Sequence, residues 1–318
     1  MTLTELKYIV AVAREKHFGR AAEACHVSQP TLSVAVKKLE EELDAKLFER
    51  SAGEVSITAL GDAIVRQAQS VLEQAAEIKE IAKRGKDPLS GVLTLGIIYT
   101  IGPYLLPALV RRSIQSTPQM PLMLKENFTT RLLEMLRTGE IDCAIIAEPF
   151  PETGLASAPL YEEPFMAAVP NIHPLAHQQS VTVTELKNET MLLLGAGHCF
   201  RDHVLQVCPE FARYATDAEG IRRTFEGSSL ETIKHMVAAG MGVTLVPSLS
   251  VPYDALHTSC HRTDIPHIHY LPIHAENGEP PPSRRVVLVW RRSFTRYEAI
   301  AALRNAVCAC ELSGVRLL

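Results

Sequence analysis

The sequence predicts an α/β module of two Rossmann-like subdomains, preceded by a small all-helical domain with a hairpin wing and by one long helix. Three observations predict it. Residues 2–48 carry three short apolar patterns of helical spacing, residues 59–84 carry one uninterrupted pattern, and from residue 92 strand and helix patterns alternate. A chain of 318 residues is long enough for two or three cores. We therefore divide it into residues 1–58, 59–90 and 91–318.

The composition is typical of a soluble globular protein, with 47% hydrophobic and 21% charged residues. The N-terminal segment has no signal-peptide pattern, and the most apolar stretch, 92–110, contains two prolines and two glycines. We therefore expect a cytoplasmic protein with no membrane segment. In that compartment thiols are kept reduced, and the seven cysteines are odd in number. A structural disulfide framework is thus not expected.

The first 58 residues have the proportions of a helix-turn-helix. Thr2 and Glu5 form a capping-box pattern before the first helix, "GRAAEACH" fits the second, and Ser28 is the expected N-cap of the third. Leu32, Val36 and Leu39 fall on one side of that third helix. "LFERSAGEVSIT" alternates around a glycine turn, which predicts the wing.

The opposite side of the third helix is polar and could contact DNA bases and phosphates, and the wing adds one cation. The candidate DNA-binding residues are Ser28, Gln29, Pro30, Thr31, Ser33, Lys37, Lys38 and, in the wing, Arg50. Bulk charge does not support DNA binding, because the net charge is −4 and residues 1–58 hold eight Lys/Arg against nine Asp/Glu. A polar face that is merely solvated is the alternative.

Residues 59–84 form a helix with a seven-residue apolar repeat that predicts a short, close-packed coiled coil between two chains. The predicted dimer contacts are Ile64, Ala68, Val71, Ala75, Ile78 and Ala82. The alternative is an amphipathic helix that packs on its own domain. "RGKDPLSG", residues 84–91, breaks the helix and is typical of a hinge.

From residue 92 onward, strands and helices alternate, and "RRVVLVWRRS" returns as a late strand before a closing helix at 295–312. This order favours two subdomains, one of about 91–161 and 268–318 and the other of about 162–267. Ligands bind at such subdomain interfaces, so a cleft between the two is the expected binding site.

The N-terminal motif resembles a known family. "FGRAAEACHVSQPTLSVAVKKLEEELDAKLFERS" is similar to the winged helix-turn-helix of LysR-type transcriptional regulators, and departs from it at Asp44 and Ala45, where that family usually has a glycine. The resemblance implies a DNA-binding regulator with no enzymatic activity and no cofactor. It also implies a dimerising linker helix, an effector module like periplasmic binding proteins, and a homotetramer, a dimer of dimers, on paired half-sites of double-stranded DNA. RNA polymerase is the expected protein partner.

The segment "GHCFRDHVLQVC" places Cys199 and Cys208 nine positions apart. In a helix they would lie about 13 Å apart along the axis and on opposite faces, whereas a disulfide needs Cα atoms within roughly 4.4–6.8 Å. The pair can bond only if the segment remodels. The residues alone leave three interpretations open: a redox pair, a metal site with His198 and His203, or two cysteines buried as small hydrophobes.

A second resemblance bears on these alternatives. "GPYLLP", "GHCFRD" and "SSLETIKHMVAAGMGVTLVP" are similar to the hydrogen-peroxide-sensing members of the LysR-type family. This implies that Cys199 reacts with peroxide and that Cys208 resolves the product into a reversible disulfide. It also implies a peroxide pocket whose members are Thr100, Thr129, His198 and Arg284, with Arg285 leaving the register uncertain by one.

The resemblance therefore implies a peroxide-responsive regulator of oxidative-stress defence genes, reset by a thiol reductant of glutaredoxin or thioredoxin type, with no resident metal. Thr100 and Thr129 could instead cap the helices that follow them. The alternative function is a LysR-type regulator that binds a small metabolite in the cleft, with incidental cysteines.

Overall fold

The computed structural model of the chain describes residues 1–51, 54–84, 87–151, 153–209, 226–227, 229–252, 267–274 and 280–318. The chain groups into two compact units. The first comprises Met1–Pro88, Glu134–Asp142 and Arg291–Tyr297, and the second comprises Leu89–Leu133, Cys143–Trp290 and Glu298–Leu318. The finer division into residues 1–58, 59–90 and 91–318 stays a prediction.

The N-terminal helices and wing follow the local signals in the sequence. The elements are α1 (Leu3–Glu15), α2 (Phe18–Ala24), α3 (Gln29–Glu42), β1 (Phe48–Ser51) and β2 (Glu54–Ile57). Thr2 and Glu5 form the predicted capping box, and the Ser28 hydroxyl accepts the Thr31 N–H at 3.3 Å. β1 and β2 pair antiparallel. Leu32, Val36 and Leu39 are fully buried, as the helical wheel predicts.

The long helix α4 (Ala59–Arg84) packs its first half on this helical domain. Ala68 is buried in the domain's core, and Ile64 and Val71 lie partly buried against it. Ala75 is half-buried and Ile78 is 69% exposed, while the side chain of Ala82 lies outside the described residues. Packing within the chain therefore involves the first half of the predicted seven-residue apolar repeat. The dimer contact stays a prediction.

The middle of α4 is also tied to two segments that are remote in sequence. The Arg291 Nε donates to Glu73 Oε2 at 2.7 Å, and the Gln69 amide donates to the Thr138 carbonyl at 2.6 Å. The same arginine donates to two further carbonyls, those of Leu136 and Ile141. These bonds explain why 134–142 and 291–297 group with the N-terminal unit.

The remaining chain alternates strands and helices, as predicted. Its elements are β3 (Leu93–Ile98), α5 (Gly102–Ser116), β4 (Leu122–Asn127), α6 (Thr129–Arg137), β5 (Cys143–Ala147), β6 (Leu155–Pro170), β7 (Val181–Thr182), α7 (Val183–Leu186), β8 (Leu193–Leu194), α8 (Cys199–Val207), β9 (Glu226–Gly227), α9 (Leu230–Ala238), β10 (Thr244–Pro247), β11 (Ile268–His274), β12 (Ser283–Arg291), α10 (Tyr297–Cys308) and β13 (Arg316–Leu317). Short 3₁₀ turns occupy Pro174–His177 and Ser248–Ser250.

Nine of the described strands form one large mixed sheet. Seven of them run in the order β4-β3-β5-β12-β6-β11-β7, and β10 and β13 also pair with β6. β3 is parallel to both β4 and β5, and β12 returns antiparallel to β5. β6 runs across the predicted subdomain boundary at 161–162, so the two predicted subdomains share this strand. One buried apolar cluster is drawn from residues 165–273. β8 and β9 form a separate parallel pair.

The segment "SVTVTEL" combines a strand and a helix. It forms the two-residue strand β7 followed by the helical turn α7. Thr182 and Glu185 form a second capping box, which ends the strand and starts a helix despite the β-branched residues. Within the described residues, no helix is long and apolar enough to cross a membrane.

Candidate functional site

A small cavity lies where the parallel strands β3 and β4 end and helix α8 begins. Its volume is about 10 Å³. It is lined by Ile98, Tyr99, Thr100, Asn127, Phe128, Thr129, Gly197, His198 and Cys199. The carboxyl ends of parallel strands are where α/β proteins bind ligands. Four of the six residues predicted for the reactive site, Cys199, Thr100, Thr129 and His198, therefore line one cavity.

Cys199 is the first residue of α8, and its thiol is half-buried and not in a disulfide. His198 is the N-cap residue and makes no side-chain cap hydrogen bond to the helix. Its buried ring meets Phe128 edge-to-face with centroids 4.8 Å apart, and Tyr99 at 5.9 Å. These aromatic contacts fix one wall of the cavity beside the sulfur. Gly197 has a φ of +97°, and an added Cβ would lie 3.3 Å from the Phe128 ring.

Arg284 lies under the cavity and is fully buried. Its Nη1 donates to Thr100 Oγ1 at 2.9 Å and its Nη2 to the Thr100 carbonyl at 3.1 Å. Burial opposes its charge, but Glu163, Tyr161 and Cys199 together raise the pKa of the guanidinium. A permanent cation is therefore held on Thr100, one of the residues that line the cavity.

Thr129 contributes a hydroxyl to the other side of the cavity. This oxygen is buried and has no hydrogen-bond partner among the described residues. The alternative cap roles for the two threonines fail, because Thr100 accepts from Arg284 and Thr129 caps nothing, and the N-cap residue of α5 is Ile101. A buried unpaired hydroxyl costs free energy, so its presence indicates a site that binds a polar molecule.

Cys208 lies at the other end of α8. It is fully buried, and as the C-cap residue its N–H donates to the Val204 carbonyl at 2.9 Å. Nine helical steps put Cys199 and Cys208 about 13 Å apart along the axis, beyond disulfide reach. The structure is thus the dithiol form, and a bond between the two sulfurs requires α8 to unwind.

The structure separates the contacts of the three arginines near the site in sequence. Arg285 is on the outer face of β12, 54% exposed and 3.9 Å from Glu148, so Arg284 is the arginine beside Thr100. Arg201, two residues after Cys199, donates to the Leu194 carbonyl at 3.1 Å. Arg284 is bonded to Thr100, which lines the cavity.

Sequence reasoning missed two residues of the site. Glu163 accepts the Arg284 Nε at 2.8 Å, and the Phe200 ring lies 5.2 Å from the guanidinium carbon. Glu163 occupies a core-facing position of β6 between Tyr161 and Phe165. A charged residue in an apolar alternation was the available signal, since a buried carboxylate needs a partner.

The candidate DNA-binding face is open to solvent. Ser28, Gln29, Pro30, Thr31, Lys37 and Lys38 are exposed, Ser33 is half-buried, and the side chain of Arg50 lies outside the described residues. Lys37 makes only a loose 3.6 Å ion pair with Glu41, one turn along the helix. Across the described part of the chain, no group of three or more His, Cys, Asp or Glu residues converges as a metal site.

Comparisons with known families place both parts of the chain. Residues 3–62 match the bacterial regulatory helix-turn-helix protein of the lysR family, and residues 86–309 match the LysR substrate binding domain. The hydrogen peroxide-inducible genes activator of Dickeya chrysanthemi is 38% identical over 95% of this chain and 94% of its own. The DNA-binding transcriptional dual regulator OxyR of Escherichia coli K12 shows the same identity and coverage.

Solved structures give the same relationship. A full-length cysteine-to-aspartate variant of OxyR from Pseudomonas aeruginosa is 48% identical, covers 98% of this chain and 99% of its own, and has a TM-score of 0.73. A hydrogen-peroxide-bound cysteine-to-serine mutant of OxyR from Corynebacterium glutamicum is 33% identical over 96% of this chain and 91% of its own, with a TM-score of 0.61.

Proposed function

Since the chain belongs to the LysR family of bacterial regulators, we propose that it controls transcription in response to hydrogen peroxide, through a reversible disulfide between Cys199 and Cys208. It is a DNA-binding regulator and not an enzyme. The relatives named for peroxide induction match almost its whole length. The genes it would control are those of oxidative-stress defence.

The cavity at Cys199 is the observation that carries the proposal. Its volume of about 10 Å³ is close to what a single water-sized molecule needs. It therefore favours a ligand of one or two heavy atoms, such as hydrogen peroxide, over a metabolite of many atoms. The unpartnered Thr129 hydroxyl and the Thr100 hydroxyl offer donors and acceptors to two peroxide oxygens.

In the first step the Cys199 thiolate attacks one peroxide oxygen. The S–O bond forms as the O–O bond breaks, the sulfur becomes a sulfenic acid, and the other oxygen leaves as hydroxide, which takes a proton to become water. Arg284 is bonded to the cavity residue Thr100, and a cation fixed there would stabilise the charge on the departing oxygen.

In the second step the Cys208 sulfur attacks the sulfenic sulfur of Cys199. The S–S bond forms and the hydroxyl leaves as water, so one peroxide has oxidised two thiols by two electrons. Because the cysteines sit at opposite ends of α8, this bond is incompatible with the intact helix. Chemistry at one atom is thereby converted into remodelling of residues 199–208, which is the two-state element a switch needs.

We expect formation of the disulfide to change how the protein contacts DNA. The exposed face of α3 and the wing are expected to bind paired half-sites of double-stranded DNA, with the chain as a dimer of dimers. RNA polymerase is the expected partner on the promoter, and a glutaredoxin- or thioredoxin-type reductant returns the disulfide to thiols. Reset by such a reductant requires a cytoplasmic location.

The test is thiol mapping by mass spectrometry, with reduced full-length protein exposed to about one equivalent of hydrogen peroxide for seconds. A peptide linking Cys199 to Cys208, with the other five thiols free, is the expected product. The Cys199→Ser variant should show no disulfide. The Cys208→Ser variant should stop at a sulfenic acid that a dimedone probe traps. Footprints of both forms on operator DNA then report the switch.

Two results would overturn the proposal. If Cys199 and Cys208 stay reduced while other thiols oxidise, the peroxide chemistry is wrong. If the disulfide forms but the footprint does not change, the pair is not the transcriptional switch. In either case, a metabolite that shifts both melting and footprint would establish the alternative function, a metabolite-responsive regulator with incidental cysteines.

A further inference from the structure

The buried pair of Glu163 and Arg284 joins the proposed peroxide site to the core of the effector module. Both side chains are 0% exposed, and Arg284 Nε lies 2.8 Å from Glu163 Oε2. The guanidinium uses its other edge on Thr100, at Oγ1 and at the carbonyl. The arginine is thus held from two sides, and only the Thr100 side belongs to the cavity.

The second oxygen of Glu163 is also occupied. Its Oε1 accepts the Leu249 N–H at 2.9 Å, from the 3₁₀ turn Ser248–Ser250. The carboxylate therefore bridges β12, where Arg284 lies, and a turn that follows β10. Two separate N–H donors on two oxygens fix the carboxylate's rotation, which in turn fixes the plane of the guanidinium.

The position of Glu163 in the sheet is otherwise an apolar one. β6 alternates, and Glu163 shares its core-facing side with Tyr161, Phe165 and Ala167. A carboxylate among these side chains is costly unless a cation neutralises it. A purely structural pair would stabilise nothing that apolar residues of similar size could not, so the placement needs another reason.

We propose that Glu163 is the positioning residue of the peroxide site: by bridging Arg284 and the Leu249 amide, it holds the guanidinium on Thr100 in the orientation that assists attack by Cys199. This inference rests on the proposed peroxide-sensing function. Glu163 touches neither the cavity nor the sulfur, so it acts only through Arg284. Its role is to keep a flexible side chain in one place during the first chemical step.

Glutamine cannot replace this carboxylate. Its amide has one acceptor oxygen, so Glu163→Gln can accept from Arg284 or from Leu249 but must turn an NH₂ group toward the other donor. Aspartate keeps the charge and both acceptor oxygens on a shorter arm. Glu163→Asp should therefore rescue part of what Glu163→Gln loses.

The experiment measures the second-order rate of Cys199 oxidation in full-length reduced protein, by alkylation quench and mass spectrometry, well below the melting temperature of each variant. Glu163→Gln should slow oxidation about ten- to a hundredfold, and Glu163→Asp about three- to tenfold. Glu162→Gln is the matched control. This neighbouring carboxylate pairs on the surface with Arg316, and its loss should leave the rate unchanged.

A double variant separates positioning from a general effect on the fold. If Glu163 acts only through Arg284, then Glu163→Gln added to Arg284→Gln should slow oxidation no further, because the residue it positions is already gone. A structural role would make the two losses multiply. The double variant also removes both buried charges together, so we expect it to be less destabilised than Glu163→Gln alone, which leaves the Arg284 charge unpaired.

The outcomes are distinct. If wild-type Cys199 itself fails to react with peroxide, the proposed function fails. If wild type reacts and Glu163→Gln reacts at the wild-type rate, only the proposed role of Glu163 is wrong. Where Glu163→Gln does not fold, the same conclusion follows if Glu163→Asp reacts at the wild-type rate. The proposed role is also wrong if the rate decreases of the two single variants multiply in the double variant.

Discussion

Gln206 allows a direct measurement of whether α8 unwinds when the disulfide forms. It is the penultimate residue of the helix, and its side chain is exposed, so substitutions there change helix stability without touching the core or the cavity. We compare Gln206→Ala with Gln206→Gly. Alanine is the best helix former and glycine among the worst, and neither adds a contact.

The magnitude follows from helix propensity and the reduction potential. Glycine costs about 0.8–1.0 kcal/mol relative to alanine inside a helix, and about half of that near an end, so we take about 0.4–0.5 kcal/mol. If α8 exists only in the dithiol form, this whole difference enters the redox equilibrium. It corresponds to about 9–11 mV, or a factor of about 2 in the equilibrium constant. Glycine destabilises the dithiol form, so its variant should have the more negative potential.

The assay is titration of each variant in glutathione redox buffers, with the fraction of Cys199–Cys208 disulfide measured by alkylation and mass spectrometry. Gln115 is the matched control. It is also an exposed glutamine at the penultimate position of its helix, α5. Gln115→Ala and Gln115→Gly should differ in the stability of the dithiol form but share one potential, because nothing in the proposed switch unwinds α5.

Equal potentials for the two Gln206 variants, together with a measured stability difference between their dithiol forms, would refute the reasoning. That result would mean that α8 survives oxidation and that the cysteines meet by another route. A shift at Gln115 as large as that at Gln206 would instead show that the potential follows global stability and not this helix.

Three further perturbations address other parts of the molecule. Thr129→Val removes the unpartnered buried hydroxyl, so it should raise stability by about 1 kcal/mol, seen in urea denaturation, yet slow oxidation of Cys199 at least tenfold. Lys37→Ala should lower DNA affinity equally for all operator sequences and reduce the slope of log K against log salt by about 1. Burial lowers the pKa of His203, whose Nε2 donates to the Glu148 carbonyl at 2.8 Å. As pH falls, the His203 imidazole is therefore protonated at a higher pH in the unfolded chain than in the folded one. The free energy of unfolding should decrease as pH falls below about 6.5. His203→Gln should flatten that pH dependence; an unchanged slope would assign it to other groups.

Elements with local signals were predicted well. The capping residues Thr2 and Ser28, the bounds of α4 and the wing all follow from side chains a few residues away. The same kind of signal explains why "SVTVTEL" begins as a strand and continues as a helix. A capping box at Thr182 outweighs the strand preference of the valines, because a satisfied N-cap is worth about 1 kcal/mol.

The site was predictable only in part. Cys199 and His198 lie next to each other in a recognisable motif, but Glu163 and Phe200 join the site only when β6, β12 and α8 pack together. Which of Arg284 and Arg285 joins the site is likewise decided by the packing of elements that are remote in sequence. Successive strand residues face opposite sides, and the pairing of β12 decides that Arg284 faces inward.

Packing also changes how the apolar repeat of α4 is interpreted. From the sequence, Ile64, Ala68 and Val71 are indistinguishable from Ile78, since all fit one seven-residue pattern. In the structure the first three serve the core of their own domain, and Ile78 stays exposed. The dimer contact through α4 stays a prediction, and Ile78 is the most exposed of the four residues that it names here.

Burial fixes the order of events in the proposed switch. Cys199 is half-buried beside a cavity, while Cys208 is fully enclosed in the apolar cluster of residues 165–273. Peroxide in the cavity therefore meets only the first sulfur while α8 is intact. The Cys199 sulfenic acid must form before Cys208 can reach it, and its lifetime is the time that α8 takes to open. Opening α8 also exposes the apolar surroundings of Cys208. Packing therefore opposes the conversion of the dithiol form to the disulfide form, and formation of the S–S bond favours it. A helix that opened more readily would form the disulfide faster without any change in how fast Cys199 reacts with peroxide.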